Sequence, residues 1–131
     1  MRISKRSVDI IGLDSYAFAV KKEDAISDTE FLSEKYLDSF DYFRKHHSLN
    51  NFMINLYYQK GGVDGVNDCF FAVRLTRDDL QKLKYAILHN QLPAGYDLCS
   101  RKQNIVHDLK FIKEANSVIN DGFEVYYQAD W

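Results

Sequence analysis

Between Ser48 and Gly61-Gly62, the residues Leu49, Phe52, Met53, Leu56 and Tyr57 recur at i, i+3, i+4, i+7 and i+8. That spacing places every apolar side chain on one stripe of an α-helix. A strand cannot use it, because alternation by two would scatter the same residues over both faces. The two glycines end the pattern, since glycine accepts the left-handed backbone that closes helices. A one-striped helix must pack against something, and the partners lie further along. Cys69 to Leu75 is a compact run rich in Phe and Val, predicted as a buried strand. Thr76-Arg77-Asp78-Asp79 follows at once, a hydroxyl cap with carboxylates in the positive first turn of a helix. Leu80, Leu83, Ile87 and Leu88 supply that helix with an apolar face, and Pro93 and Gly95 stop it. Ala94 to Asn104 reads as a loop. A last helix is predicted from about Ile105 to Asn120, with Leu109, Ile112, Ala115 and Ile119 on one side. Beyond Asp121-Gly122, the residues Phe123, Val125 and Tyr127 alternate with Glu124 and Tyr126, a half-buried strand.

The N-terminal part is read in the same way. Val8, Ile10, Tyr16, Phe18 and Val20 alternate on either side of Gly12-Leu13-Asp14-Ser15, which predicts one strand or two joined by a turn. Ser27 and Glu30 stand in capping-box spacing, and Leu32, Tyr36, Phe40, Phe43 and His47 then form a stripe, predicting a first helix. Glu30, Glu34, Asp38 and Asp41 follow the same spacing two residues out of phase, about 200° around that helix. An acidic face opposite the apolar one is the expectation. Val63 to Asp68 reads as a loop. The predicted fold is α+β: a three- or four-stranded, mainly antiparallel sheet with about four helices packed against it. With 131 residues, one Pro and no Pro/Gly/Ser-rich linker, residues 1–131 are expected to form a single domain.

Composition narrows the function classes. Apolar residues at 46% and aromatics at 15% exclude a disordered chain. A net charge of −2 argues against a chain built to bind nucleic acid directly. That charge is unevenly spread: residues 23–41 hold seven acids and one lysine, −6, which leaves +4 for the rest. Two cysteines, Cys69 and Cys99, are too few for a disulfide scaffold. No apolar run is long enough for a membrane span, and the charged start of the chain lacks a signal-peptide stretch, so a cytoplasmic protein is expected. Gly61-Gly62-Val63-Asp64-Gly65 lacks the Lys-Ser/Thr pair of a phosphate loop. Adjacent His46 and His47 point about 100° apart on a helix and cannot easily share a metal. No metal, cofactor or catalytic residue is therefore assigned. His47 completes the apolar stripe as a partly buried core histidine, and His46 is expected to be the exposed contact residue. Of the adjacent pairs Tyr57-Tyr58 and Tyr126-Tyr127, one ring of each is expected to enter the core while the other faces out.

Tyr42-Phe43-Arg44-Lys45-His46-His47-Ser48-Leu49-Asn50-Asn51-Phe52-Met53, then Leu56-Tyr57 and Lys60-Gly61-Gly62, resembles a motif of small phage-encoded proteins. The similarity continues through Val73-Arg74-Leu75-Thr76, Asp79-Leu80, Gln91-Leu92-Pro93, Phe111-Ile112 and Gly122 to Val125-Tyr126-Tyr127 and Trp131. Members often carry the label phosphoglycerate kinase, which a chain this short without a nucleotide loop does not support. Phage origin implies a protein that binds and inhibits a host protein in the host cytoplasm, a counter-defence factor of the anti-CRISPR kind. Its partner would carry a basic surface and meet Glu30, Glu34, Asp38, Asp41, Arg44, His46, Tyr58 and Trp131. The alternatives are a small phage enzyme acting on a nucleotide or other small molecule through His46/His47, the Asp97–Lys102 loop and Asp108, and a self-associating domain forming a homodimer through its aromatics. A concave pocket joining His46 or His47 to Asp97 or Asp108 would favour the enzyme over an inhibitor.

Overall fold

The computed structural model describes residues 12–63 and 70–130. In chain order its regular elements are β1 (Asp14–Val20), β2 (Ala25–Ser27), β3 (Glu30–Phe31), β4 (Asp41–Arg44), α1 (His47–Gln59), β5 (Phe70–Leu75), α2 (Arg77–Leu88), α3 (Arg101–Asn120) and β6 (Glu124–Asp130). The main sheet is antiparallel throughout and runs β4-β1-β6-β5, while β2 and β3 form a separate small hairpin. The fold class is α+β. Three α-helices are present among the described residues, rather than about four.

The missing helix is the first one. From Ser27 to Arg44 the chain makes the hairpin, a short 3-10 turn at Ser33–Lys35, and β4. Its apolar residues do not share a face: Phe31 and Tyr36 pack on one side of the sheet, Phe40 and Phe43 on the other. Two forces outweigh the helical spacing. Acids at 30, 34 and 38 repel one another at i, i+4 on a helix. The outer edge of β1 also carries backbone groups that need partners, and β4 supplies them, with Tyr16 opposite Tyr42 and Ser15 opposite Phe43. Asp24 fixes the extended path by accepting hydrogen bonds from Tyr36 Oη at 2.6 Å and Lys35 Nζ at 3.1 Å.

Elsewhere the periodicities hold. α1 buries Leu49, Met53 and Leu56, and Gly61, with φ +94°, follows its end. α2 has the Thr76–Asp79 capping box and buries Leu80, Leu83 and Ile87, but Leu88 is exposed. α3 starts before the expected boundary, because Ser100 and Gln103 form a second capping box. β6 lies between β1 and β5 with both faces covered, so Tyr126 and Tyr127 are both buried, on opposite sides. Neither ring of that pair faces out. The readings of Ser7–Ile11, Asp64–Cys69 and Trp131 lie outside the described residues.

Candidate functional site

The turn from β4 into α1 sets the site. Lys45 holds a left-handed backbone with φ 52°, uncommon for a residue with a side chain. It is pinned on both sides: its N–H donates to Leu13 O at 2.8 Å, and its carbonyl accepts from Leu98 N at 3.1 Å. The sharp turn aims His46 inward. His46 is only 3% exposed, which overturns the expectation of an exposed contact residue. The 92–100 loop closes over it, and Gly95 allows that approach. A Cβ on Gly95 would stand 2.7 Å from Ser48 N and 2.8 Å from the His47 carbonyl carbon, closer than real contacts permit.

Inside, His46 Nε2 donates to Asp108 on α3 at 2.8 Å and 3.0 Å to its two oxygens, and Asp108 is 1% exposed. His46 Nδ1 faces Ser48 Oγ at 3.4 Å and Asp97 Oδ1 at 3.6 Å. Asp97 in turn accepts from Ser48 N at 2.9 Å, Ser48 Oγ at 2.5 Å and Asn104 Nδ2 at 3.3 Å. It thus caps α1 from a distant loop, a carboxylate at the positive helix end. Burial pushes the His46 imidazole towards neutrality, but the bonds to Asp108 and Asp97 outweigh it and hold the group up at about 9. Burial pushes Asp97 up, and its bonds to His46 and Ser48 overcome this, leaving it at about 2.

Beside this cluster lies a cavity of about 370 Å³ reached by His46, Ser48, Asp97 and Asp108. Its other polar wall is Asn90, Arg101 and Asn104, with Arg101 Nε donating to Asn90 Oδ1 at 2.8 Å. Ile87, Leu92 and Ile105 give an apolar wall, and the exposed free Cys99 sits at the rim. The size falls in the range of small-molecule sites.

Ser48, His46 and Asp108 have the membership of a hydrolytic triad but not its proton path. The Ser48 hydroxyl donates its hydrogen bond to Asp97, and an imidazolium has no lone pair with which to accept its proton. For acid–base work the pKa values are also displaced the wrong way: a base at about 2 and an acid at about 9 both stay charged near neutrality. The cluster is built to hold charge in place. Among the described residues no group of histidine, cysteine and carboxylate side chains has the arrangement of a metal site.

The other sequence-predicted site residues are not brought together. Glu30, Glu34, Asp38, Arg44 and Tyr58 are exposed. With the helix absent, the four acids share no helical face. Asp41 is half-buried and accepts from His107 Nε2 at 2.8 Å and from Tyr42 N at 2.8 Å. His107 stacks on Phe43 with ring centroids 4.6 Å apart. Its bond to Asp41 raises its pKa against the opposing effect of burial. His47 is partly buried as expected, yet its Nε2 is buried without a hydrogen-bond partner among the described residues. Asn104 and Gly95 were not singled out as site residues. The Ser100–Gln103 spacing is the signal that would have put Asn104 and Asp108 on one helix, one turn apart and facing the same way.

No protein-family model, no curated protein and no solved structure matches this chain. No helix among the described residues is long and apolar enough to cross a membrane.

Proposed function

We propose that this protein acts by binding, and that its ligand is an uncharged polar small molecule received in the cavity beside His46. The joining of His46, Asp97 and Asp108 at one concave site is the feature expected of a small-molecule enzyme, and what turns the reading to binding is that these groups are held by one another and by Ser48. The two carboxylates are matched by the His46 imidazolium and the Arg101 guanidinium, so the formal charges around the cavity balance. A balanced wall gives a triphosphate or polyamine no net attraction. Fixed donors and acceptors facing an aliphatic wall suit a molecule of nucleoside or sugar size, with one polar edge and one apolar side. The test is a thermal-shift and NMR titration with uncharged nucleosides and monosaccharides, against the matching nucleoside triphosphates. An uncharged compound is expected to raise Tm and to move the His46 ring signals. Ile105→Trp, which fills the cavity from its apolar side, is expected to abolish both effects. Perturbation that survives Ile105→Trp, or that comes only from triphosphates, would overturn the reading.

A second reading is favoured by one surface. Glu34 and Asp38 are exposed and form no ion pair among the described residues, and Leu37 between them in the chain is 92% exposed. An exposed segment with two unpaired acids about an apolar side chain suits a host protein with a basic surface, as a phage counter-defence factor of the anti-CRISPR kind in the host cytoplasm would need. Glu34→Lys with Asp38→Lys should weaken binding to such a partner; unchanged affinity would sink this reading.

A further inference from the structure

α2 and α3 lie side by side in the helix layer and leave between them a groove of about 850 Å³. Leu80, Leu109 and Ile112 form its floor, and Arg77, Lys84 and Lys113 stand along it. No acidic residue is among those lining it. Arg77 is engaged by Asn120. Lys84 and Lys113 form no ion pair among the described residues. On the other side of the sheet, the segment 34–38 presents the complement: Glu34 and Asp38 exposed around Leu37, which at 92% is the most exposed large apolar side chain among the described residues. One surface is an apolar floor with cations along it, and the other is an apolar projection between two unpaired anions, the lysine of the same segment, Lys35, being engaged by Asp24.

These surfaces cannot meet within one molecule. Segment 34–38 is held on the hairpin side by the bonds from Lys35 and Tyr36 to Asp24, whereas the groove belongs to the helices on the opposite face. We propose that a second copy of this chain is the occupant, with segment 34–38 of one molecule seated in the α2–α3 groove of the next. The two contact surfaces differ, so the association is head to tail and propagates unless the rotation between copies closes a ring. The lining residues include no aromatic ring, so the groove lacks the stacking platform a single-stranded nucleic acid would use. A five-residue projection buries less than a standard interface does, and its charges are exposed, so the association is weak and salt-sensitive. The proposal does not depend on the cavity beside His46.

Analytical ultracentrifugation of the full chain tests it. At low salt the weight-average mass is expected to rise with concentration, and at high salt to return to that of the monomer. Lys84→Ala with Lys113→Ala should weaken self-association about tenfold, the scale of two exposed charge pairs. Glu34→Gln with Leu37→Ser and Asp38→Asn should abolish it, and circular dichroism is expected to show both variants folded. Mixed in equal amounts, the two variants retain one intact contact, from the segment of the first to the groove of the second. Dimers are therefore expected to predominate, at concentrations where the lysine variant alone is monomeric. A wild-type chain that stays monomeric at low salt, or variants that associate as tightly as wild type, would overturn the proposal. So would binding of an acidic peptide or an oligonucleotide through Lys84 and Lys113 without self-association.

Discussion

Where the helices cover the sheet, Phe43, Phe71, Phe111 and Tyr127 are joined by a continuous set of buried aliphatic residues from all three helices. Where the hairpin covers it, the buried apolar residues among those described are Phe18, Val20, Phe31, Ala72 and Tyr126, flanked by half-buried Tyr16, Ala25 and Tyr36. The polar groups follow the same division. On the helix side, His46 and Asp108 are enclosed together and satisfy each other. On the hairpin side, Asp24 is matched by Lys35, whose side chain is 58% exposed, so water still reaches the pair. The comparison teaches that depth of cover sets what a charge requires. Under a thick layer it needs a fixed, oriented partner, while under a thin one solvent supplies much of the compensation.

The largest expected effects test this division directly. Phe111→Ala, on the helix side, should cost about 4 kcal/mol, and Phe31→Ala, on the hairpin side, about 3 kcal/mol, because a thin cover can collapse into the space left behind. Urea denaturation measures both, and equal losses would break the comparison. Asp108→Asn should cost about 3 kcal/mol by leaving the buried imidazolium without its counter-charge; a loss below about 1 kcal/mol would mean that water enters the cluster.

The third test is pH. His46 has an ordinary value of 6.5 and is held at about 9 in the folded chain. A raised pKa means that the folded state binds the proton more tightly. Its contribution is thus complete below pH 6.5 and fades as the pH rises through 9, in all roughly 3 kcal/mol. Denaturation followed across that window should show the loss, and Asp108→Asn should flatten most of it. The hairpin pair behaves oppositely: Asp24 is held below its ordinary value by its bonds to Tyr36 and Lys35, so its contribution is lost only as the pH falls into the acid range. The smallest effect compares the ends of two elements. Thr76→Ala removes the α2 cap and should cost about 1 kcal/mol, whereas Glu34→Gln on the exposed segment should change stability by less than about 0.5 kcal/mol.

The same division separates what was legible in the sequence from what was not. α1, α2 and α3 carry periodicities that a single apolar face explains, β5 reads as the buried run it is, and the Thr76 cap marks its helix as read. The 27–44 region misled because Leu32, Tyr36, Phe40 and Phe43 fall at helical spacing by coincidence. Tyr36 serves one face, and Phe40 and Phe43 the other, of a sheet whose other strands are distant in the chain. The candidate site was legible only as parts. His46, Asp97 and Asp108 were each noticed, but the inward turn at Lys45 and the close approach at Gly95 depend on contacts with Leu13, Leu98 and Ser48 that no local pattern encodes. Tyr126 was expected to face out because an alternating strand usually has one wet side. Here the hairpin covers that side too.

β6 joins β1 to β5, pairing Asp130 with both Asp14 and Phe70. Both neighbours precede it in the chain, and β5 has no other partner within the sheet. Within the main sheet, therefore, only the β1–β4 pair can form early during synthesis, and the helices meet an unfinished floor until residues 124–130 leave the ribosome. The sheet is closed from its middle, by a strand that follows its other three in the chain. Pairings between segments so far apart in sequence make assembly slow, and until then the apolar edges of β1 and β5 stay open to chaperones and to neighbouring nascent chains.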